Sequence, residues 1–205
     1  MRTLVLLAGG RSSRMGRDKV MLGFNGRTFV EHFYEKAAAC FDRIIISTDT
    51  EEHAEVIRSL PFFDGKDIET VTDLYPLAGP IGGLLSVFGQ TNADRFSVIS
   101  VDIPHGLPEV LAAAYDRCSG KACFFQLEGG RPEPLIAAWS RSACADLKRS
   151  FERGNYKLRA VLDDNETGIL TQRMFISEYP QFADTDFVRA FRNFNTPEEL
   201  EDLYD

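Results

Sequence analysis

Cysteine and histidine are scarce, four and three among 205 residues. Cys40, Cys118, Cys123 and Cys144 contain no CxxC pair and stand apart from the histidines, which argues against a zinc or disulfide framework and for buried thiols in a reducing compartment. The chain also lacks any run of lysine and arginine of the kind that follows a phosphate backbone. Acidic residues outnumber basic ones 31 to 23, for a net charge of -8, so nucleic acid is not an expected partner and any phosphate must be held locally. Long apolar stretches are missing too: the N-terminal run from Leu4 to Ala8 is too short for a signal core or a membrane span, so the expected location is the cytoplasm, with no membrane partner. We find no linker, internal repeat or low-complexity tract. Neither the Walker A string GxxxxGK[ST] nor the dinucleotide fingerprint GxGxxG occurs, which weakens the P-loop ATPase and NAD-binding readings.

What is present is the pattern of an α/β protein. Leu4 to Ala8 reads as a central parallel strand, buried on both faces and ending in the Gly9-Gly10 turn. Helical spacing from Phe29 to Phe41 and the β-branched run Arg43 to Thr48 complete a βαβ unit, and the alternation continues with helices at Glu52 to Leu60 and Gly82 to Gln90 and strands at Ile68 to Val71 and Phe96 to Val101. Beyond Pro108 the pattern gives a helix to Cys118, strands near Ala122 to Leu127 and Leu135 to Trp139, a helix from Ser142 to Arg153, and an exposed loop from Asp163 to Gly168. The expected fold is a single-domain, Rossmann-like three-layer sandwich over residues 1–205 with a mostly parallel, partly mixed sheet; its nucleotide-binding half runs to about residue 108 and its acceptor-binding half from about 109.

The most informative segment is Leu6-Leu7-Ala8-Gly9-Gly10-Arg11-Ser12-Ser13-Arg14-Met15-Gly16-Arg17-Asp18-Lys19, a strand opening into a loop rich in glycine and cations. Gly9 and Gly10 allow backbone amides to approach phosphate oxygens, and Arg14 and Lys19 add fixed positive charge. Two glycines beside basic residues also describe an ordinary solvated turn; the fourteen-residue string as a whole sets this one apart. A second segment, Thr72-Asp73-Leu74-Tyr75-Pro76-Leu77-Ala78-Gly79-Pro80-Ile81-Gly82-Gly83, puts an aspartate before a Pro/Gly turn, where it could serve as a turn residue or helix cap. A carboxylate can also accept from the N1–H and 2-amino edge of guanine, and Gly79, Gly82 and Gly83 would let a helix N-terminus come close to a ligand. The third, Phe96 to Pro104, places Asp102 at the carboxyl end of a buried strand, where ligands of open α/β sheets bind and where Mg²⁺ takes one or two carboxylates. The alternative is an Asp capping the next helix. His105 reads as structural or solvated. Near the C-terminus, Thr196, Pro197 and Glu199 form a capping box, with Asn193 and Asn195 on alternate positions before it.

The first string closely resembles the LAGGxSxRMGxDK signature of the molybdenum cofactor guanylyltransferases, a branch of the sugar-nucleotide and related nucleotidyltransferases. The second is similar to that family's D-x-x-x-x-x-GPxxG element, Arg131-Pro132-Glu133-Pro134-Leu135 to its EPL element, and Asn193-Phe194-Asn195-Thr196-Pro197-Glu198-Glu199-Leu200 to its closing NxNTPEDL string. The resemblance runs from Leu4 to Leu203. It implies Leu7, Ala8, Gly9, Gly10, Asp73, Gly79 and Asp102 on the nucleotide, with Asp102 also holding Mg²⁺, and Arg14 and Lys19 on the phosphates. It implies Glu133, Asn193 and Asn195 on the molybdopterin acceptor. Relatives that use CTP look like LAAG where this chain reads LAGG, which favours GTP. Two positions depart from the family: Asp49 stands where an Asn usually touches the nucleotide, and Arg17 where a glycine is usual. The implied reaction is transfer of GMP from GTP to the terminal phosphate of molybdopterin, with upstream cofactor-synthesis proteins and apo-molybdoenzymes as expected partners. Left open are a sibling nucleotidyltransferase, using CTP or a sugar-phosphate acceptor, and a nucleotide-binding protein that no longer turns over.

Overall fold

A computed structural model describes residues 1–9, 23, 24, 26–162, 164–194 and 199. Gly10, Arg14, Lys19, Arg17 and Asn195, and the capping box at Thr196 and Pro197, lie outside the described residues. The chain runs through β1 (Thr3–Leu7), β2 (Gly23–Phe24), β3 (Arg27–Thr28), α1 (Phe29–Ala37), β4 (Arg43–Thr48), α2 (Glu51–Arg58), β5 (Glu69–Thr72), α3 (Pro80–Gln90), β6 (Arg95–Ser100), α4 (Pro108–Arg117), β7 (Ala122–Gln126), β8 (Pro132–Ser140), α5 (Cys144–Glu152), β9 (Thr167–Thr171), α6 (Gln172–Glu178) and α7 (Phe187–Ala190).

Seven strands form one sheet in the order β5-β4-β1-β6-β8-β7-β9. β5, β4, β1 and β6 are parallel, while β8 runs antiparallel to both β6 and β7 and β9 is parallel to β7. This is the mostly parallel, partly mixed sheet expected from the sequence. Alternation along β1 splits its side chains between two cores: Leu4 and Leu6 pack with α1, α4 and α6 residues such as Phe33, Leu111 and Phe175, and Val5 and Leu7 pack with α3 and α5 residues such as Leu84 and Leu147. Helices on both faces of the sheet make the three layers. The order reverses direction at β1, because β4 and then β5 extend to one side of it and β6 to the other. The carboxyl ends of β1 and β6 therefore flank a topological switch point.

The first half follows the sequence pattern closely, with helix ends that shift by a few residues. α1 stops at Ala37 rather than Phe41, after a capping box in which Thr28 and Glu31 satisfy each other's backbone N–H groups. The later half needs three corrections. β8 begins at Pro132, not Leu135; its pairing with β6 runs only from Val98↔Ala137 to Arg95↔Ser140, so the missing N–H groups of Pro132 and Pro134 leave no gap in that ladder. α5 starts at Cys144, after a 3₁₀ turn over Arg141–Ala143. The expected loop at Asp163 to Gly168 instead enters β9 at Thr167, with Gly168 opposite Cys123; this strand is polar on its exposed side and lies at a sheet edge, so its apolar alternation is weak. Two of the four thiols, Cys118 and Cys123, are buried as expected, whereas Cys40 and Cys144 are only half-buried. Burial pushes the Cys123 thiol up to about 11.

Arg141 fixes α3 from the end remote from the switch point. Its guanidinium donates to the carbonyl of Phe88 in the last turn of α3 at 2.8 Å, to that of Thr91 at its C-cap at 2.8 Å, and to that of Ala93 just beyond at 2.8 and 3.1 Å. Arg141→Ala is expected to cost about 2 kcal/mol, the low end for several charged hydrogen bonds because the side chain is partly solvated. Urea unfolding with an unchanged m-value would show it; a midpoint equal to wild type would assign α3's placement to its apolar contacts alone.

Candidate active site

A cavity of about 1010 Å³ opens at the carboxyl edge of the parallel strands. Leu7 from β1, Ser47 and Thr48 from β4, Asp73 just past β5 and Ser100 from β6 bring four adjacent strand ends to it. β8 runs the opposite way, so its first residues arrive at the same edge and contribute Glu133, Leu135 and Ile136. Neighbours on a regular strand face opposite sides. Leu135 and Ile136 both reach the cavity where the β7–β8 register breaks between Phe124 and Phe125, in the same stretch where the Trp139 indole N–H bonds the Pro134 carbonyl at 2.9 Å.

Close packing of backbones shapes the nucleotide-side wall. The Ala8 N–H donates to the Ser47 carbonyl at 2.8 Å, and a Cβ on Gly9 would lie 2.8 Å from the Asp49 nitrogen. Gly9 is thus required by the approach of β1 to β4 as well as by any ligand. Gly79 caps α3 at φ +66°, and Pro80 follows at the first helical position. A Cβ on Gly83 would stand 3.0 Å from Leu7 Cδ2, so the first turn of α3 lies directly over the end of β1.

Asp73 is both a cavity residue and a turn residue. Its Oδ1 accepts from the Tyr75 N–H and from the buried Ser86 hydroxyl, each at 2.8 Å, while the Leu74 N–H donates to Ser86 Oγ at 2.8 Å. Its Oδ2 carries no hydrogen bond among the described residues and would be 3.1 Å from a Cβ on Gly82. Asp102 does not cap α4, which begins six residues later with Leu107 at its N-cap. It is 6% exposed on the cavity wall, and its carbonyl accepts from the Phe194 N–H at 2.9 Å, which ties the C-terminal segment carrying Asn193 to the same wall.

Asp49, one residue before the Thr50 N-cap of α2, lines the cavity with one carboxylate oxygen against His53 Nδ1. Glu133 is held by Arg159 at 2.5 Å. His105 packs its ring 6.0 Å from that of Phe194, and burial lowers its pKa. The structure thus brings Leu7, Gly9, Asp49, Asp73, Gly79, Asp102, Glu133 and Asn193 to one cavity, with Ala8 buried behind them. Sequence reasoning missed Ser47, Ser86, Ser100 and Arg159: lone serines and one arginine carry no signal until tertiary contacts pair them.

One electrostatic feature stands out. The described lining residues include four carboxylates, Asp49, Asp73, Asp102 and Glu133, and no lysine or arginine. A polyanion enters such a site only with compensating cations.

The model of the MobA-like NTP transferase domain matches residues 4–169. The chain belongs to this family. It is a nucleotidyltransferase. A protein of Methanosarcina mazei described as a probable molybdenum cofactor guanylyltransferase is 28% identical over 205 residues, covering 98% of this chain and 89% of its own. One of Thermococcus sibiricus, described in the same words, is 30% identical over 159 residues, covering 75% of this chain and 76% of its own. The crystal structure of molybdopterin-guanine dinucleotide biosynthesis protein A from Archaeoglobus fulgidus has the same fold, with a TM-score of 0.77 at 23% identity over 98% of this chain and 95% of that one. Among the described residues no helix is long and apolar enough to cross a membrane.

Proposed function

We propose that the chain guanylylates the molybdenum cofactor, transferring GMP from GTP to the terminal phosphate of molybdenum-molybdopterin and releasing pyrophosphate. The observation that carries this reading is the carboxylate-lined cavity at the switch point, with the glycine- and cation-rich string beginning on its wall at Gly9. Arg14 and Lys19 follow Gly9 in sequence and supply the positive charge that the described wall lacks. The names carried by the relatives from Methanosarcina mazei and Thermococcus sibiricus point to the same activity.

The donor set suits a hard divalent ion. Mg²⁺ takes one or two carboxylates and completes its shell with phosphate oxygens and water, and Asp102 is a buried carboxylate on a wall with excess negative charge. Bound there, the ion would neutralise charge on the triphosphate. The chain's own residues do the rest. Asp73 receives the guanine edge, the glycines at the start of α3 admit the ligand to the helix N-terminus, and Lys19 and Arg14 hold the phosphates. Glu133, Asn193 and Asn195 orient the acceptor. An oxygen of the acceptor's terminal phosphate attacks the α-phosphorus of GTP, the bond from that phosphorus to the β-bridging oxygen breaks, and pyrophosphate leaves. The nucleophile is already anionic at neutral pH, so positioning and charge neutralisation supply most of the acceleration and no strong general base is needed. Because the product cofactor is labile, direct receipt from upstream cofactor-synthesis proteins and delivery to apo-molybdoenzymes in the cytoplasm belong to the same proposal.

Pyrophosphate release measured with Mg²⁺ and a molybdopterin acceptor, with GTP, CTP, ATP and UTP compared side by side, tests it. We expect release with GTP at least about tenfold faster than with the others, the scale of one good polar contact in discrimination. A preference for CTP would move the chain to a sibling activity, and GTP binding without release would make it a nucleotide-binding protein.

A further inference from the structure

Leu77 is the one non-glycine residue with a left-handed backbone among the described residues, at φ 68°. It occupies the third position of a tight turn in which the Ala78 N–H donates to the Tyr75 carbonyl at 3.1 Å and Pro76 fills the second. Proline followed by a residue of positive φ is the pattern of a type II turn, where glycine or asparagine normally takes the third position. Two residues on, where φ is again positive at the cap of α3, the chain uses Gly79. Leucine at position 77 gains little from packing within the fold, because the residue is 87% exposed.

The turn is nevertheless firmly placed. A Cβ on Gly82 would stand 2.9 Å from the Tyr75 carbonyl oxygen and 3.0 Å from Ala78 Cβ, so the turn packs against the first turn of α3. Leu77 lines the cavity on the segment that begins with Asp73, and the same cavity is lined by Leu7, Pro76 and Pro80 and by Leu127, Glu133 and Leu135 from the β7–β8 side. A non-glycine residue held at positive φ carries a backbone cost, and such strained positions cluster at ligand-binding sites.

We infer that the Leu77 side chain covers one face of the nucleobase of the bound nucleoside triphosphate, its apolar surface leaving water only when the nucleotide is in place. Asp73 reads the base's polar edge from the same segment, and Leu77 supplies the contact to its flat face. The inference rests on the nucleotide-transfer reading above and needs no acceptor for its test.

Titration calorimetry with GTP and Mg²⁺, with inorganic triphosphate as a second probe, would be run on wild type, Leu77→Asn and Leu77→Met, alongside thermal melting. Asparagine tolerates the left-handed backbone but offers no apolar surface, whereas methionine keeps the surface. Leu77→Asn is expected to melt at or above wild type and to bind GTP roughly tenfold more weakly, the scale of an apolar side chain half covered by a ring. Its affinity for inorganic triphosphate should be unchanged, and Leu77→Met should bind GTP within about threefold of wild type. Equal GTP affinity in Leu77→Asn would overturn the inference, as would parallel loss of triphosphate binding, or a melting point several degrees lower marking a leucine the fold itself needs. Wild type that binds neither GTP nor any other nucleoside triphosphate would instead defeat the nucleotide-transfer reading, and this inference with it.

Discussion

Asp102→Asn is expected to lower kcat/KM for pyrophosphate release from GTP by a factor on the order of 100 or more, the cost of removing one preorganised charge from a phosphoryl-transfer site. Asparagine fills almost the same volume, and the backbone bond from Phe194 to the Asp102 carbonyl does not involve the side chain, so the wall should keep its shape. What changes is the charge. With a neutral amide at position 102 the site loses its best-buried carboxylate, and on the proposed reading affinity for a divalent ion should fall with it. The loss should therefore be partly recovered by raising Mg²⁺, which a purely structural effect would not allow. Lys19→Ala, which on the proposed reading removes a cation from the triphosphate, should fall by a comparable factor and show no such rescue. Near-normal turnover in both variants would sink the catalytic assignment.

The parallel half of the sheet was legible because its strands are buried on both faces and read as continuous apolar runs, as in Leu4-Val5-Leu6-Leu7 and Ile44-Ile45-Ile46. The edge of the sheet at β9 was not, since Thr167-Gly168-Ile169-Leu170-Thr171 presents few apolar residues and follows a polar stretch that looks like a turn. The early start of β8 was hidden by Pro132 and Pro134, which a sequence pattern treats as breakers and which the fold accepts because β6 pairs only further along. Asp102 stands out as a candidate from its place at the end of a buried strand, whereas Asp73, which by itself reads as a turn residue or helix cap, is singled out by the family resemblance. The groups that fix them carry no such signal: Ser86 lies thirteen residues beyond Asp73 and meets it only because α3 folds back over β5. Leu77 is legible in neither way, because the sequence gives no sign of a positive φ at a leucine.

Asp73→Asn should invert the base preference, and this outcome would separate the proposed base-reading role of Asp73 from its role in the turn. Its Oδ1 receives the Tyr75 N–H and the Ser86 hydroxyl, and a carboxamide oxygen can receive both, so the turn and the start of α3 should survive the change. The amide nitrogen would then take the place of Oδ2, turning an acceptor into a donor. Guanine presents two donors, N1–H and the 2-amino group, so the variant sets a donor against a donor on a desolvated wall. kcat/KM for GTP should fall roughly 100-fold, the scale seen when a site's polar group is left mismatched with its ligand. Xanthosine triphosphate keeps N1–H but carries a carbonyl at C2, which accepts from the amide, so it should become the better substrate by about tenfold. Asp73→Ala removes the turn contacts as well and should lose stability, about 1 kcal/mol for each of the two bonds to Oδ1, along with activity. Ser86→Ala leaves the carboxylate in place but loosens it; its expected signature is a smaller loss, roughly fivefold, in the preference for GTP over the inosine nucleotide that lacks the 2-amino group. If Asp73→Asn still prefers GTP to the xanthosine nucleotide, Asp73 is a turn residue only, and the base is read elsewhere on the wall, with Ser47, Thr48 and Asp49 at the end of β4 the groups next in reach.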